Sequence, residues 1–240
     1  MVGRYNQDMT LKLTGAKDWD NAWHQHYAEY TQRPSYQAYY LFCILPNKTR
    51  RILELGAGSF RDTAQLNEWG YECIGVDFSE GAVASARQRY PQWASRFLSA
   101  DAMRLPFRTG SFDVSYHNGL LVYFEDNEKI RQIIREQVRL SRTMVVCTVH
   151  NAHNSQLQEL FKQRAQKDPI YAIRFFERSE IAQLMAPFCR RVELFPFGSL
   201  WANRLIRHLR QRHLVRLFYR RTYKYWDWTK CERIMAVGWL

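Results

Sequence analysis

The stretch that decides the fold runs Arg51-Ile-Leu-Glu54-Leu-Gly56-Ala57-Gly58-Ser-Phe60-Arg61-Asp62 and resumes at Gly70-Tyr-Glu-Cys-Ile-Gly-Val-Asp77-Phe78-Ser79. A short apolar run (Ile52, Leu53, Leu55) leads into a glycine pair. A helix-compatible segment follows to Gly70, and a second apolar run ends on Asp77. Strand, glycine turn, helix, strand and acid in that order make one right-handed βαβ unit of a parallel sheet. Glycine lets the backbone turn tightly and be approached closely, and the start of the helix offers unpaired N–H groups. A carboxylate at the second strand's tip can accept from both hydroxyls of a ribose. A ribose-bearing ligand is therefore expected at this edge.

A dinucleotide site would share this outline, but it calls for a third glycine for helix packing and pyrophosphate approach. Phe60 and Arg61 stand at the two places where that glycine could fall. Glu54 would repel a pyrophosphate and suits a ligand with positive character, such as an ammonium or sulfonium; S-adenosylmethionine carries both. With these motifs in order over about residues 50–150, the chain resembles the class I S-adenosylmethionine-dependent methyltransferases, from which it departs at Phe60, where many members have glycine.

The resemblance implies an α/β, Rossmann-like, doubly wound sheet of seven mostly parallel strands, the last antiparallel. It also implies S-adenosyl-L-methionine as cofactor, S-adenosyl-L-homocysteine as product, and cofactor contacts from Glu54, Gly56, Ala57, Gly58, Arg61 and Asp62. Asp77, Phe78 and Ser79 would serve the ribose and one adenine face. Asp101, Ala102 and Met103 would serve the adenine edge, and His117 with Asn118 the methionine end. Many relatives have Glu-His where this chain has Val122-Tyr123, so no acid–base role transfers to that pair.

Downstream, Ser79 is expected to cap a helix ending at Pro91, and Phe97 to Asp101 to form a third strand. Phe112 to Tyr116 reads as the fourth strand, opening on His117-Asn118-Gly119. Glu128 to Leu140 is helical, with Ile130, Ile133, Ile134 and Val138 on one face. The β-branched run Thr143 to Val149 reads as a buried fifth strand, followed by His150 and His153 in a loop. His150 is the candidate proton acceptor and His117 a second catalytic candidate, since an imidazole titrates near neutrality. Between 155 and 187, two short helices are expected around Asp168-Pro169, the second capped by Ser179. Val192 to Phe197 and Arg233 to Leu240 read as strands six and seven.

Upstream, residues 1–14 carry no clear signal and are expected to form an arm. Trp19, Trp23, Tyr27 and Tyr30 recur at helical spacing, and Pro34 opens a second segment, Tyr36 to Leu45. Residues 1–45 are thus expected to be an arm and helical lid over residues 46–240, with Trp19, Trp23, Tyr27, Tyr123 and His153 as candidate acceptor contacts. The plain alternative for these aromatics is packing onto the sheet.

The net charge of +12 has an address. About thirty residues (199–231) separate strands six and seven where a hairpin would serve. From Trp201 to Arg233 ten Lys or Arg face only Asp227 and Glu232. Amphipathic helices with a basic face are expected there. That face could be merely solvated, could dock to an anionic surface, an acidic carrier protein or a phosphorylated substrate, or, less in keeping with the sequence, could bind RNA. Five cysteines without a C-x-x-C pair read as reduced thiols, and no metal set stands out. No stretch reaches the ~20 apolar residues of a membrane span, and the N-terminus lacks a signal-peptide core. A cytoplasmic protein is expected, with peripheral membrane attachment as a variant. Methyl transfer from a sulfonium needs alignment more than acid–base machinery. The expected function is therefore methylation of an O or N atom of a small molecule by in-line displacement. An RNA methyltransferase, a non-enzymatic S-adenosylmethionine-binding scaffold and an NAD-dependent oxidoreductase are the competing readings.

Overall fold

A computed structural model describes residue 13, residues 15–209 and residues 211–240. The expected arm at 1–14 falls almost wholly outside the described residues, as does Arg210. The order is α1 (Ala16–Gln32), α2 (Tyr36–Ile44), β1 (Arg51–Leu55), α3 (Arg61–Glu68), β2 (Glu72–Asp77), α4 (Glu80–Arg89), β3 (Phe97–Ser99), β4 (Phe112–Asn118), α5 (Asn127–Leu140) and β5 (Ser141–His150). There follow α6 (Ser155–Ala165), α7 (Arg178–Met185), β6 (Arg191–Phe197), α8 (Leu200–Leu209), α9 (Arg212–Thr222) and β7 (Arg233–Trp239).

The seven strands lie in the order β3-β2-β1-β4-β5-β7-β6. β7 runs antiparallel between β5 and β6, and the other neighbouring pairs are parallel. This is the Rossmann-like doubly wound sheet expected from the sequence. The central strands are buried on both faces and mostly apolar, and each face has its own core. Ile52, Tyr116, Val146 and Met235 pack with Tyr40 of α2, Ile206 of α8 and Val215 and Tyr219 of α9. Leu53, Leu55, Val145 and Ile234 pack on the other side with Ile130, Ile133 and Ile134 of α5 and Ile181 of α7.

Local chemistry sets the element ends. Ser79 accepts from Ala82 N at the start of α4, and Asp126 accepts from Glu128 N at the start of α5. Asp20 of α1 accepts from Ser79 Oγ (2.5 Å) and Gly81 N (3.1 Å), so α1 is pinned by a carboxylate to the positive end of α4.

Among the boundaries that differ from the sequence reading, four have a plain physical reason. β3 stops at Ser99, its register ending where Asp77 pairs with Ser99, so Asp101 lies beyond the strand in a turn. That turn is closed by the Asp101 carboxylate accepting from Met103 N at 2.9 Å. β4 continues to Asn118 because β1 pairs with it as far as His117 and β5 as far as Asn118. β5 continues to His150, which pairs with Arg233. The N-cap of α7 is Glu177, in a capping box with Glu180, rather than Ser179.

Candidate functional site

A cavity of about 620 Å³ opens at the carboxyl edge of the central strands, the place where open α/β sheets bind ligands. Its floor is the loop after β1. Gly56 and Gly58 have φ of +60° and +53°, and Phe60, a non-glycine residue, also sits in the left-handed region at +56°. The Phe60 ring is fully buried against Phe97 (5.0 Å) and lies beneath Gly75, where an added Cβ would stand 2.7 Å from Phe60 Cδ1 and 2.5 Å from Thr63 Oγ1. The ring thus fills the space left by the missing Gly75 side chain, and its burial offsets the backbone strain. At Gly58 the close approach is made by protein: a Cβ there would collide with the Trp23 indole.

Asp77 is buried at the tip of β2. One carboxylate oxygen accepts from Gly58 N (2.7 Å) and the other from Ser79 N (2.9 Å). Burial raises its pKa, and those N–H groups oppose the rise. Beside it Phe78, 48% exposed, presents a bare aromatic face to the cavity. Glu54 is buried at the end of β1, where the Thr63 hydroxyl donates to it. Burial, and after it the neighbouring Asp62, push the Glu54 carboxyl up to about 8. Asp62 in turn accepts from Ser35 Oγ and, at 3.3 Å, from Ala38 N.

The other half of the cavity is aromatic and basic. Trp19 meets Tyr123 edge to face at 4.6 Å, and Phe161 meets Tyr171 at 5.4 Å. Arg61 donates to Tyr30 O at 2.7 Å. Arg233, at the base of β7, donates to Asn118 Oδ1, and burial lowers its pKa. His150 is buried in the wall between Phe161 (5.0 Å) and Phe175 (5.5 Å), and its Nδ1 has no partner among the described residues. Burial, and secondarily Arg233, hold its pKa well below the usual histidine value, so the ring is neutral.

This site lies within a stretch, residues 53–149, that matches the family model described as a methyltransferase domain. Residues 53–149 thus read as a methyltransferase domain, as the resemblance to the class I S-adenosylmethionine-dependent enzymes led one to expect. Two demethylmenaquinone methyltransferases are similar over part of their length. That of Beutenbergia cavernae is 44% identical over 63 residues, 26% of this chain and 25% of the relative. That of Mycolicibacterium paratuberculosis is 31% identical over 116 residues, 48% of each. The chain thus spans half or less of the length of these curated relatives. A solved methyltransferase from Archaeoglobus fulgidus has the same fold, with a TM-score of 0.64 at 14% identity over 90% of this chain and 99% of that one.

The cavity brings together Glu54, Gly56, Ala57, Arg61 and Asp62 from the first βα turn and Asp77 and Phe78 from the second strand end. Asp101, Ala102 and Met103 join them from the third, and Asn118 from the fourth. Trp19, Trp23, Tyr123 and His150 line it as well. Five expected residues do not. Gly58 is covered by Trp23, and Ser79 is a helix cap. Tyr27 packs over the glycine loop and donates to Ser59 O at 3.3 Å. His153 faces Glu177 (3.0 Å) and Arg178 (3.3 Å) outside the cavity. His117 is the largest correction. Because β4 runs on through Asn118, His117 is an interior strand residue, fully buried, registered between Leu55 and Cys147. Desolvation lowers its pKa to about 3, and neither ring nitrogen has a partner among the described residues. It is a neutral core imidazole with no catalytic access.

Missed by sequence reasoning were Arg33, Glu232 and Arg233, all on the cavity wall. The last two were counted with the basic insertion. Their one sequence signal was position, at the start of the seventh strand.

Proposed function

We propose that this chain transfers the methyl group of S-adenosylmethionine to an O or N atom of a small-molecule acceptor by in-line displacement. The observation that carries the reading is one continuous cavity with two chemically different halves. Carboxylates stand at the ends of three neighbouring strands on one side, and aromatic rings with a neutral imidazole stand on the other. The residues fit the cofactor: Glu54 is a buried acid whose ionisation a cation would favour, and Phe78 is an aromatic ring left about half exposed at the cavity.

In this reading Asp77 accepts from the ribose hydroxyls, Asp101 with the backbone at Ala102 and Met103 serves the adenine edge, and Phe78 flanks the ring. Glu54 faces the ammonium, and Arg61 and Asn118 serve the methionine end. The bound cofactor supplies a methyl group on a positively charged sulfur. Trp19 and Tyr123 close the acceptor side against water, and Trp23 fixes the glycine loop. His150, kept neutral, accepts a hydrogen bond from the acceptor's hydroxyl or amine and so orients a lone pair toward the methyl group. The two N-terminal helices, α1 and α2, act as a lid over residues 46–240. The relatives' name, demethylmenaquinone methyltransferase, supports a small acceptor over a macromolecule.

Calorimetry tests the cofactor half. S-adenosylhomocysteine should bind, NAD should not, and Asp77→Asn should weaken binding about ten- to a hundredfold, the worth of hydrogen bonds to a charged acceptor. NAD binding without S-adenosylhomocysteine binding would overturn the reading. Labelled methyl groups offered with a cell extract should appear in the small-molecule fraction, and label confined to RNA would replace the acceptor class. His150→Ala should slow turnover about tenfold or more while sparing cofactor affinity. Unchanged turnover would remove His150 from the mechanism.

A further inference from the structure

The insertion between β6 and β7 divides its basic residues into two populations. Arg212, Arg216 and Arg220 recur every fourth residue along α9 and turn inward. Arg212 donates to Trp69 O (3.0 Å), Arg216 to Leu45 O (2.9 Å) and Arg220 to Cys43 O (2.9 Å). Trp69 and Leu45 are the C-caps of α3 and α2, and Cys43 lies in the last turn of α2, so these guanidiniums satisfy the negative ends of two helices. Arg204, Arg221, Lys224 and Lys230, by contrast, make no side-chain hydrogen bond or ion pair among the described residues, and all four are exposed.

The same segment holds most of the exposed large apolar side chains: Leu200 (77%), Trp201 (46%), Leu214 (46%), Leu217 (53%) and Tyr225 (86%). They are not scattered. Trp201 of α8 packs on Phe218 of α9 at 5.6 Å and on Trp226 at 4.8 Å. Leu214, Leu217 and Arg221 share one face of α9, spaced by three and four residues. Solvation explains exposed arginines, but not three exposed leucines alongside them. Bases stack on aromatic rings, which aliphatic leucine does not provide. Leucines beside a Trp and a Tyr, framed by unpaired cations and with Asp227 the segment's single acid before Glu232, match a surface of anionic headgroups over acyl chains.

The position adds to the match. α8 begins three residues after Phe197, which is paired with Arg233 of the cavity wall, and Glu232 N donates to Gly198 O at 2.8 Å at the root of the insertion. Leu200 and Trp201 are therefore attached at the carboxyl edge, where the cavity opens.

We infer that the outer face of α8 and α9 docks this protein reversibly onto an anionic lipid surface. The inference stands whatever acceptor the cavity takes. The test is co-sedimentation of the full chain with vesicles of equal parts phosphatidylglycerol and phosphatidylcholine, against phosphatidylcholine alone. Binding should require phosphatidylglycerol, fall steeply with added salt, and bring Trp201 within reach of quenchers carried on the acyl chains. The pair Arg221→Glu and Lys224→Glu should lower partitioning at least about tenfold, at ~1 kcal/mol for each cation near such a surface. Leu214→Ser with Leu217→Ser should lower it as well, with S-adenosylhomocysteine binding retained in both variants as the check on folding. Quenching of the wild-type chain does not depend on any variant folding. Equal binding to neutral vesicles, no binding to either, or tight RNA or acidic-protein binding with no vesicle binding would each overturn the inference.

Discussion

At the scale of single residues, two side chains carry chemistry that composition hides. Glu54 is legible as an acid out of place in a phosphate loop, but its protonation is set by burial and by Asp62, a neighbour only in three dimensions. A carboxyl raised to about 8 in the folded chain holds a proton that the unfolded chain releases near 4.5. The folded state then binds more protons between those values, so the stability of the ligand-free chain falls as pH rises from about 4.5 toward about 8. Glu54→Gln should flatten that slope in denaturant titrations across the interval, and an unchanged slope would place the titration elsewhere. A cationic ligand favours the ionised form, so S-adenosylmethionine binding should release a proton at pH 7 and tighten as pH rises toward 8. Calorimetry in buffers of different ionisation enthalpy reads this directly, and a buffer-independent heat would refute it. Phe60 is legible as a departure from glycine, though not as a left-handed residue anchored by its ring. Phe60→Ala should cost about 3–5 kcal/mol by loss of the buried ring. Phe60→Gly should cost about 1 kcal/mol less, because it also releases the backbone strain. Urea midpoints in which glycine is no better than alanine would remove the strain from the account.

At the scale of elements, the strands and main helices follow from apolar period and from Ser79, Gly70 and Pro91 as punctuation. Strand ends were less legible than strand cores. His117 and His150 look like loop residues in sequence, yet the ladders of β4 and β5 run through both, because a strand extends as far as its neighbours offer partners. That rule separates the two histidines: one stays inside the sheet and the other emerges at the cavity. The docking of α1 through Asp20, and of α9 through its arginines, left no trace in sequence, since most of the partners are backbone N–H and C=O groups that every residue has, and the side-chain partners Ser79 and Asn47 lie far off along the chain. Arg216→Lys should cost about 1 kcal/mol, since an ammonium cannot span Leu45 O and Asn47 Oδ1 while lying over the Phe42 ring as the guanidinium does. Thermal unfolding of this variant beside Arg221→Lys, whose side chain has no hydrogen bond or ion pair among the described residues, should show loss in the first and none in the second.

At the scale of the molecule, the cavity gathers residues from α1 at one end of the chain and β7 at the other. Glu232 and Arg233 reach it only because β7 inserts between β5 and β6, a topological fact that spacing along the chain does not express. No helix among the described residues is long and apolar enough to cross a membrane. The inward row of arginines on α9 has a further effect on how the protein behaves in different ionic media. Guanidiniums hydrogen-bonded to backbone carbonyls act at contact distance, where added salt screens least, whereas the outward-facing cations act on a surface over distances that salt screens. Ionic strength should therefore act as a selective release, detaching the protein from polyanions over a range in which its melting temperature barely moves. Melting curves recorded alongside vesicle partitioning at each salt step would expose any coupling between attachment and architecture.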